Sequence, residues 1–197
     1  MGEFITKNGT KIIETKLVDC YIIQPNVHGD NRGWFIEVYS EKVLQEAGLN
    51  YHFVQGNRSF TQCKNTIRGL HFQTSPTTQA KLVECTRGTV DDVVVDLRIG
   101  SPTYKEWIMV TLDEKSKRQL LVPKGFAHGF ITRTDEAEFN YQVDDFYSGP
   151  DDAGILWNDP EIGVDWRLDG ATPILSDKDK KHPILFKSKV NFYYNEK

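Results

Sequence analysis

The sequence predicts an all-β fold, an antiparallel β-sandwich barrel of jelly-roll type with a few short helices. Runs rich in Val, Ile, Leu, Phe and Tyr recur between Gly, Pro, Asn and Asp turn signals at sandwich or barrel spacing. They do not alternate with long helical patterns, which disfavours a parallel α/β sheet. The 197 residues carry no repeat of fixed period and no low-complexity tract. One domain of that size should bury roughly 70% of its unfolded surface, enough for a core without staples. We place that domain at residues 1–186 and read 187–197 as a polar C-terminal tail, docked by Phe192, Tyr193 and Tyr194.

In chain order, IIETKLVDCYIIQ (12–24) reads as one or two strands ended by Pro25, and HGDNRG (28–33) as a turn cluster. WFIEVY (34–39) is expected as a strand with Phe35, Glu37 and Tyr39 on one face. SEKVLQEAG (40–48) has a helix signature: Ser40 as N-cap, Val43, Leu44 and Ala47 on one side, Gly48 as stop. The strand candidates HFVQGNRSF, TIRGLHFQ, KLVECT, TVDDVVVDLRI, YKEWIMVTL and RQLLVP follow, then GFAHGFIT, AEFNYQVDDFY and a looser GILWNDPEIGVDW. A barrel of this type leaves a tapered interior that can hold a ligand. The stretch 68–81, RGLHFQTSPTTQAK, joins a basic residue, a glycine and a histidine-bearing strand to a lysine that opens the next strand.

A formal net charge of -4 and a pI near 5.7 argue against nucleic-acid binding, though not against one anion-binding pocket. Cys20, Cys63 and Cys85 have no short metal-ligand spacing; Cys20 and Cys85 sit in strand-like runs as small apolar fillers. A disulfide framework is not expected, in keeping with a reducing cytoplasm. The N-terminal MGEFITKNGTKIIETK lacks an apolar signal-peptide core. No segment approaches the roughly 20 apolar residues of a membrane span. The expectation is a soluble cytoplasmic protein with neither nucleic-acid nor membrane partners.

Seven segments stand in order along the chain: GDNRGWFIEVY, QGNRS, RGLHFQ with KLVECTRG, VVVDLRIGSPTY, VPKGFAHGF, YQVDDFYSGPDDAGILWNDPEIGVDW and LSDKD. Together, from about Asp19 to Pro183, they resemble the dTDP-4-dehydrorhamnose 3,5-epimerase family, nucleotide-sugar epimerases of the cupin superfamily. The resemblance implies a cupin-type antiparallel jelly roll, a homodimer, no metal and no organic cofactor. It implies inversion of C3 and C5 of dTDP-4-keto-6-deoxyglucose to give dTDP-4-keto-L-rhamnose, an intermediate of deoxysugar biosynthesis.

Inverting a carbon beside a ketone needs a base on one face, an acid on the other and a stabiliser for the enolate. By resemblance His71 is the base and Asp179 the acceptor that orients it, with Asp177 a local rival. Tyr141 matches the acid, Tyr147 the tyrosine that stacks on the nucleobase, and Lys81 the lysine near the C4 oxygen. Arg68 matches a phosphate contact, its planar fork suited to phosphate oxygens. His128 lines the site near phosphate or sugar, and Gln55, Asn57 and Ser59 face sugar or nucleotide. Arg32, Phe35 and Glu37 resemble a segment that reaches across the dimer into the neighbour's pocket. Trp34, Trp107, Trp157 and Trp166 are expected to pack, and His28, His52 and His182 to lie outside the site.

Two positions depart from the family pattern. Asp91 stands where an apolar or aromatic residue is usual, on one face with Val93, Val95 and Leu97, so it must reach water or a partner; we also weigh a place near the sugar. Lys105 replaces a usual glycine and suggests an altered turn. Rival readings are a C5-only or C3-only epimerase or a 3,4-ketoisomerase, a metal-dependent cupin dioxygenase, and a non-catalytic sugar-nucleotide binder. The cupin-motif regions supply one histidine each and put Lys81 where a metal site would need ligands; the binder should lack His71, Tyr141 or Lys81.

Overall fold

A computed structural model describes residues 2–194. Among them are fourteen strands: β1 (Glu3–Ile5), β2 (Lys11–Glu14), β3 (Tyr21–Gln24), β4 (His28–Asp30), β5 (Gly33–Phe35), β6 (Gln55–Thr61), β7 (Ile67–Gln73), β8 (Lys81–Arg87), β9 (Thr89–Asp96), β10 (Trp107–Asp113), β11 (Gln119–Val122), β12 (Phe126–Thr132), β13 (Ala137–Val143) and β14 (Asp152–Gly154). One sheet runs β1-β2-β3-β11-β8-β13-β6 and a second β10-β9-β12-β7-β14, every neighbouring pair antiparallel. The mostly antiparallel, helix-poor architecture is the jelly roll the sequence predicts.

Period-two patterning assembles the two sheets. From the larger sheet Val83, Cys85, Leu120, Val122 and Phe139 point inward, where they meet Val90, Val94, Leu112, Phe126 and Phe130 of the smaller one. The smaller sheet's outer face carries Ile67, Phe72, Val93, Val95 and Ile131, and the chain after β14 covers it with Ile155, Ile162, Trp166, Leu185 and Phe192. Covered on both faces, β9 is buried from Val90 to Asp96, its acids included. Helix α1 (Glu41–Glu46) lays Leu44 on the larger sheet's outer face, against Ile12, Ile23, Leu82 and Leu121. It ends at Gly48, whose φ of +77° is the left-handed conformation that glycine adopts without strain.

Several expectations change. The 12–24 run is two strands, and a short β1 that carries too few residues to show a period pairs at their edge. HGDNRG is not all turn: β4 occupies its first half and pairs with β5 in a hairpin of its own, exposed throughout. The strand expected over 34–39 stops at Phe35. Trp34 does not pack in the core; it is 60% exposed, with the Lys117 ammonium 3.5 Å above its ring. Trp166 does pack, donating its indole N–H to the Trp157 carbonyl at 2.7 Å. Beyond β14 the GILWNDPEIGVDW stretch is loop, tied by the Asp159 carboxylate, which accepts from the amides of Glu161, Ile162 and Leu185.

Asp91 keeps its predicted face, finds a partner there and does not line the cavity between the sheets. It accepts from Arg133 Nε at 2.6 Å and Thr111 Oγ1 at 2.6 Å, and the same guanidinium caps the carbonyls of Trp166 and Arg167. Lys105 adopts φ +68°, which explains why glycine suits that turn, and its ammonium pairs with Glu161. Cys20 and Cys85 are buried apolar fillers, burial pushing both thiols up to about 12. Phe192 docks edge-on against Phe72, and Tyr193 bridges to Ile99; residues 195–197 of the expected tail lie outside the described residues.

Candidate active site

Five strands and one loop converge at an open end of the sandwich around a cavity of about 520 Å³. On β8 the inward alternation that buries Val83 and Cys85 carries Lys81 to the cavity. On β13 it carries Tyr141, one step beyond buried Phe139. Strand β6 pairs Ser59 with Phe139 and Asn57 with Tyr141, so Gln55, Asn57 and Ser59 share the inward face; of the three, Ser59 lines the cavity.

Strand β7 needs more than alternation, because residues 68 and 71 of a regular strand point to opposite faces. Its pairing with β12 slips between His128↔His71 and Phe130↔Arg68, three steps on β7 against two on β12. This bulge is built on glycine. Gly69 has φ +137°, and a Cβ there would meet the Gly129 Cα at 2.6 Å. The extra residue re-aims the strand, and both Arg68 and His71 line the cavity.

His71 and Asp179 meet from distant parts of the chain, 108 residues apart in sequence. His71 Nε2 lies 2.5 Å from Asp179 Oδ1, leaving Nδ1 as the ring's free lone pair. Asp179 is buried in a single 3₁₀ turn (Asp179–Lys181); its Oδ2 accepts from Ser176 Oγ at 2.8 Å, and that hydroxyl accepts from the Asp179 amide. The loop is moored to β7 by the Ile67 amide, which donates to the Ile174 carbonyl. Burial pushes the Asp179 carboxyl up, but the hydrogen bond and charge of His71, with Ser176, outweigh it and hold the pKa below the usual carboxylate value. The rival Asp177 points to solvent and pairs with Lys180.

Burial lowers Lys81 to about 8, opposed by the negative charges of Asp92 and then Asp152. Burial also raises the Tyr141 phenol, with the Asp152 charge adding to it, so the hydroxyl keeps its proton at neutral pH. Arg68 donates Nε to Thr61 Oγ1 at 3.0 Å and a terminal nitrogen to the Phe60 carbonyl, which fixes its guanidinium at the cavity wall.

Asp92 was not singled out in the sequence, and His182, expected outside the site, lies against it. Asp92, fully buried on the inward face of β9, lies 2.8 Å from His128 Nε2; burial raises the carboxyl and lowers the imidazole. The signal was the Asp91–Asp92 doublet, since two consecutive acids on a strand must send one to each face. His182 sits three residues after Asp179, with Nε2 3.7 Å from Asp179 Oδ1 and its ring 5.4 Å from that of His71. Burial, then the charge of His71, lowers its pKa. Only its place in the turn after Asp179 could have flagged it.

Tyr147 does not line the cavity: it is 62% exposed, its hydroxyl donating to Asp152 Oδ2 at 3.1 Å and its amide to Gln55 Oε1. Gln55 in turn donates to Asn57 Oδ1. Arg32, Phe35 and Glu37 do not line this cavity: Arg32 pairs with Asp30 on the exposed hairpin, Phe35 is 68% exposed, and Glu37 accepts from Asn8.

A family model described as dTDP-4-dehydrorhamnose 3,5-epimerase matches residues 14–187. The dTDP-4-dehydrorhamnose 3,5-epimerase of Shigella flexneri is 47% identical over 169 residues, covering 85% of this chain and 92% of the relative. The crystal structure of the Bacillus anthracis dTDP-4-dehydrorhamnose 3,5-epimerase with TDP and PPi bound matches with a TM-score of 0.86 at 47% identity, over 90% of this chain and 100% of that one. The dTDP-6-deoxy-D-glucose-3,5-epimerase of Legionella pneumophila in complex with dTDP-4-keto-L-rhamnose gives a TM-score of 0.88 at 40% identity, over 94% and 98% of the two chains.

Proposed function

Because the chain belongs to the dTDP-4-dehydrorhamnose 3,5-epimerase family, we propose that it inverts C3 and C5 of dTDP-4-keto-6-deoxyglucose to give dTDP-4-keto-L-rhamnose. His71 Nδ1 takes the proton from the carbon beside the C4 ketone, and the C–H electron pair moves into the carbonyl to form an enolate. The Lys81 ammonium, charged at neutral pH because its pKa is about 8, stabilises that oxyanion. Tyr141 returns a proton to the opposite face, which inverts the centre. Asp179 holds the ring so that Nδ1 faces substrate, and it stabilises the imidazolium as it forms. Arg68 takes the pyrophosphate, with His128 and Ser59 beside the sugar; Gln55, Asn57 and Tyr147 lie toward the nucleobase.

The observation that carries this reading is the meeting of His71, Lys81, Tyr141 and Asp179 on one cavity, with His71 and Asp179 2.5 Å apart. Its size, about 520 Å³, falls within the range of small-molecule sites. We further assign the exposed β4–β5 hairpin to a second copy of the chain, where Arg32, Phe35 and Glu37 would complete the neighbour's pocket. Two exposed aromatic side chains, Trp34 and Phe35, on a hairpin that pairs with no other sheet support this.

Incubation with dTDP-4-keto-6-deoxyglucose in D₂O tests the reaction. Deuterium at both C3 and C5 is the expected result. Label at a single carbon reduces the protein to a mono-epimerase, and no exchange at either rejects the reading.

A further inference from the structure

We propose that His71, Asp179 and His182 form a binding site for a divalent transition-metal ion of zinc type, and that the bound ion switches the base off. Each residue offers one ligand atom, and the three lie within 4.8 Å of one another. His182 Nε2 is sealed from solvent and has no hydrogen-bond partner among the described residues, in a ring only 9% exposed and 3.7 Å from Asp179 Oδ1. A buried nitrogen of that kind is ordinarily satisfied, and a metal ion would satisfy it. Zinc–nitrogen and zinc–oxygen bonds of about 2.0–2.2 Å set tetrahedral ligand atoms roughly 3.3 Å apart. His71 and Asp179, at 2.5 Å, would open by under an ångström, while His182 swings inward. Two imidazoles and a carboxylate suit zinc and its neighbours rather than the hard, oxygen-seeking Mg²⁺ or Ca²⁺.

The ion would occupy His71 Nε2, the nitrogen that now bonds to Asp179. The ring proton then moves to Nδ1 with no net proton lost, and the lone pair that accepts the substrate proton is gone. The block, though not the binding, rests on His71 being the base.

Calorimetric titration with ZnCl₂ of the full chain and of His182→Gln, beside turnover assays with ZnCl₂ and then EDTA, tests the site. The wild type should bind one Zn²⁺ at least about tenfold more tightly than the variant, since even losing an outer partner of a ligand costs 10–100-fold. Its turnover should fall in step and return with EDTA, while the variant keeps its turnover in ZnCl₂. Equal affinity in the two proteins overturns the proposal. Binding lost in the variant but without inhibition of the wild type upholds the site and removes His71 from the base role. Should the variant misfold, ring ¹⁵N signals of wild-type His71 and His182 should shift together on titration; shifts confined to His28 and His52 overturn the site.

Discussion

At the residue scale, the chemistry rests on groups whose protonation the surroundings set. Burial lowers Lys81 to about 8, so the oxyanion stabilisation we propose for it would be present at neutral pH and lost as pH rises through that value. We expect kcat/KM to fall on the alkaline side with a midpoint near 8. Lys81→Arg, which stays charged, should remove that limb; a flat profile up to pH 9.5 in the wild type would count against the role. His71→Ala should lower kcat by about 10²–10⁴ while dTDP affinity, read by calorimetry, stays within a few-fold. Survival of a tenth of the activity or more would dismiss His71 as the base. These residues were legible because each sits inside a motif of the family. Asp92 and His182 were not: Asp92 meets His128 behind the cavity wall, and His182 reaches Asp179 only through the fold of one 3₁₀ turn.

At the element scale, the bulge in β7 is what lets one strand offer two side chains to the cavity. Gly129 faces it from β12 so closely that an added Cβ would lie 2.6 Å from the Arg68 carbonyl oxygen and 3.0 Å from the Gly69 Cα. Both neighbours are backbone and cannot swing away, so Gly129→Ala must push the strands apart. We expect a loss of about 1–3 kcal/mol in urea denaturation, with a larger proportional loss of kcat as His71 and Arg68 move off their common face. Unchanged stability and turnover would show that the two strands tolerate separation. The strands themselves followed from alternation and turn residues. The bulge did not, because RGL reads equally well as a regular strand until Gly129 of β12 is opposite it.

At the scale of the whole molecule, two sheets and the loop after β14 line the candidate site, and the β4–β5 hairpin pairs with neither sheet. If the hairpin completes a neighbour's site, Phe35→Asp should shift the sedimenting species from dimer toward monomer and lower kcat/KM with it. A wild-type protein sedimenting as a monomer at working concentration would reject the arrangement. Among the described residues no helix is long and apolar enough to cross a membrane.

By itself the sequence determined the all-β class, most strand positions, α1 with its glycine stop, and the ordered motifs that single out His71, Lys81, Tyr141 and Asp179. These depend on neighbouring residues, through side-chain alternation and the backbone freedom of Gly and Pro, and local terms act over a few residues. Only the tertiary structure decided that Asp179 closes to 2.5 Å on His71, that Arg133 neutralises Asp91, that Asp92 lies buried against His128, and that His182 lies beside His71 and Asp179. Each of those pairings joins distant segments or depends on how a turn packs against β7, and which partner a charged group finds is settled by the burial that packing imposes.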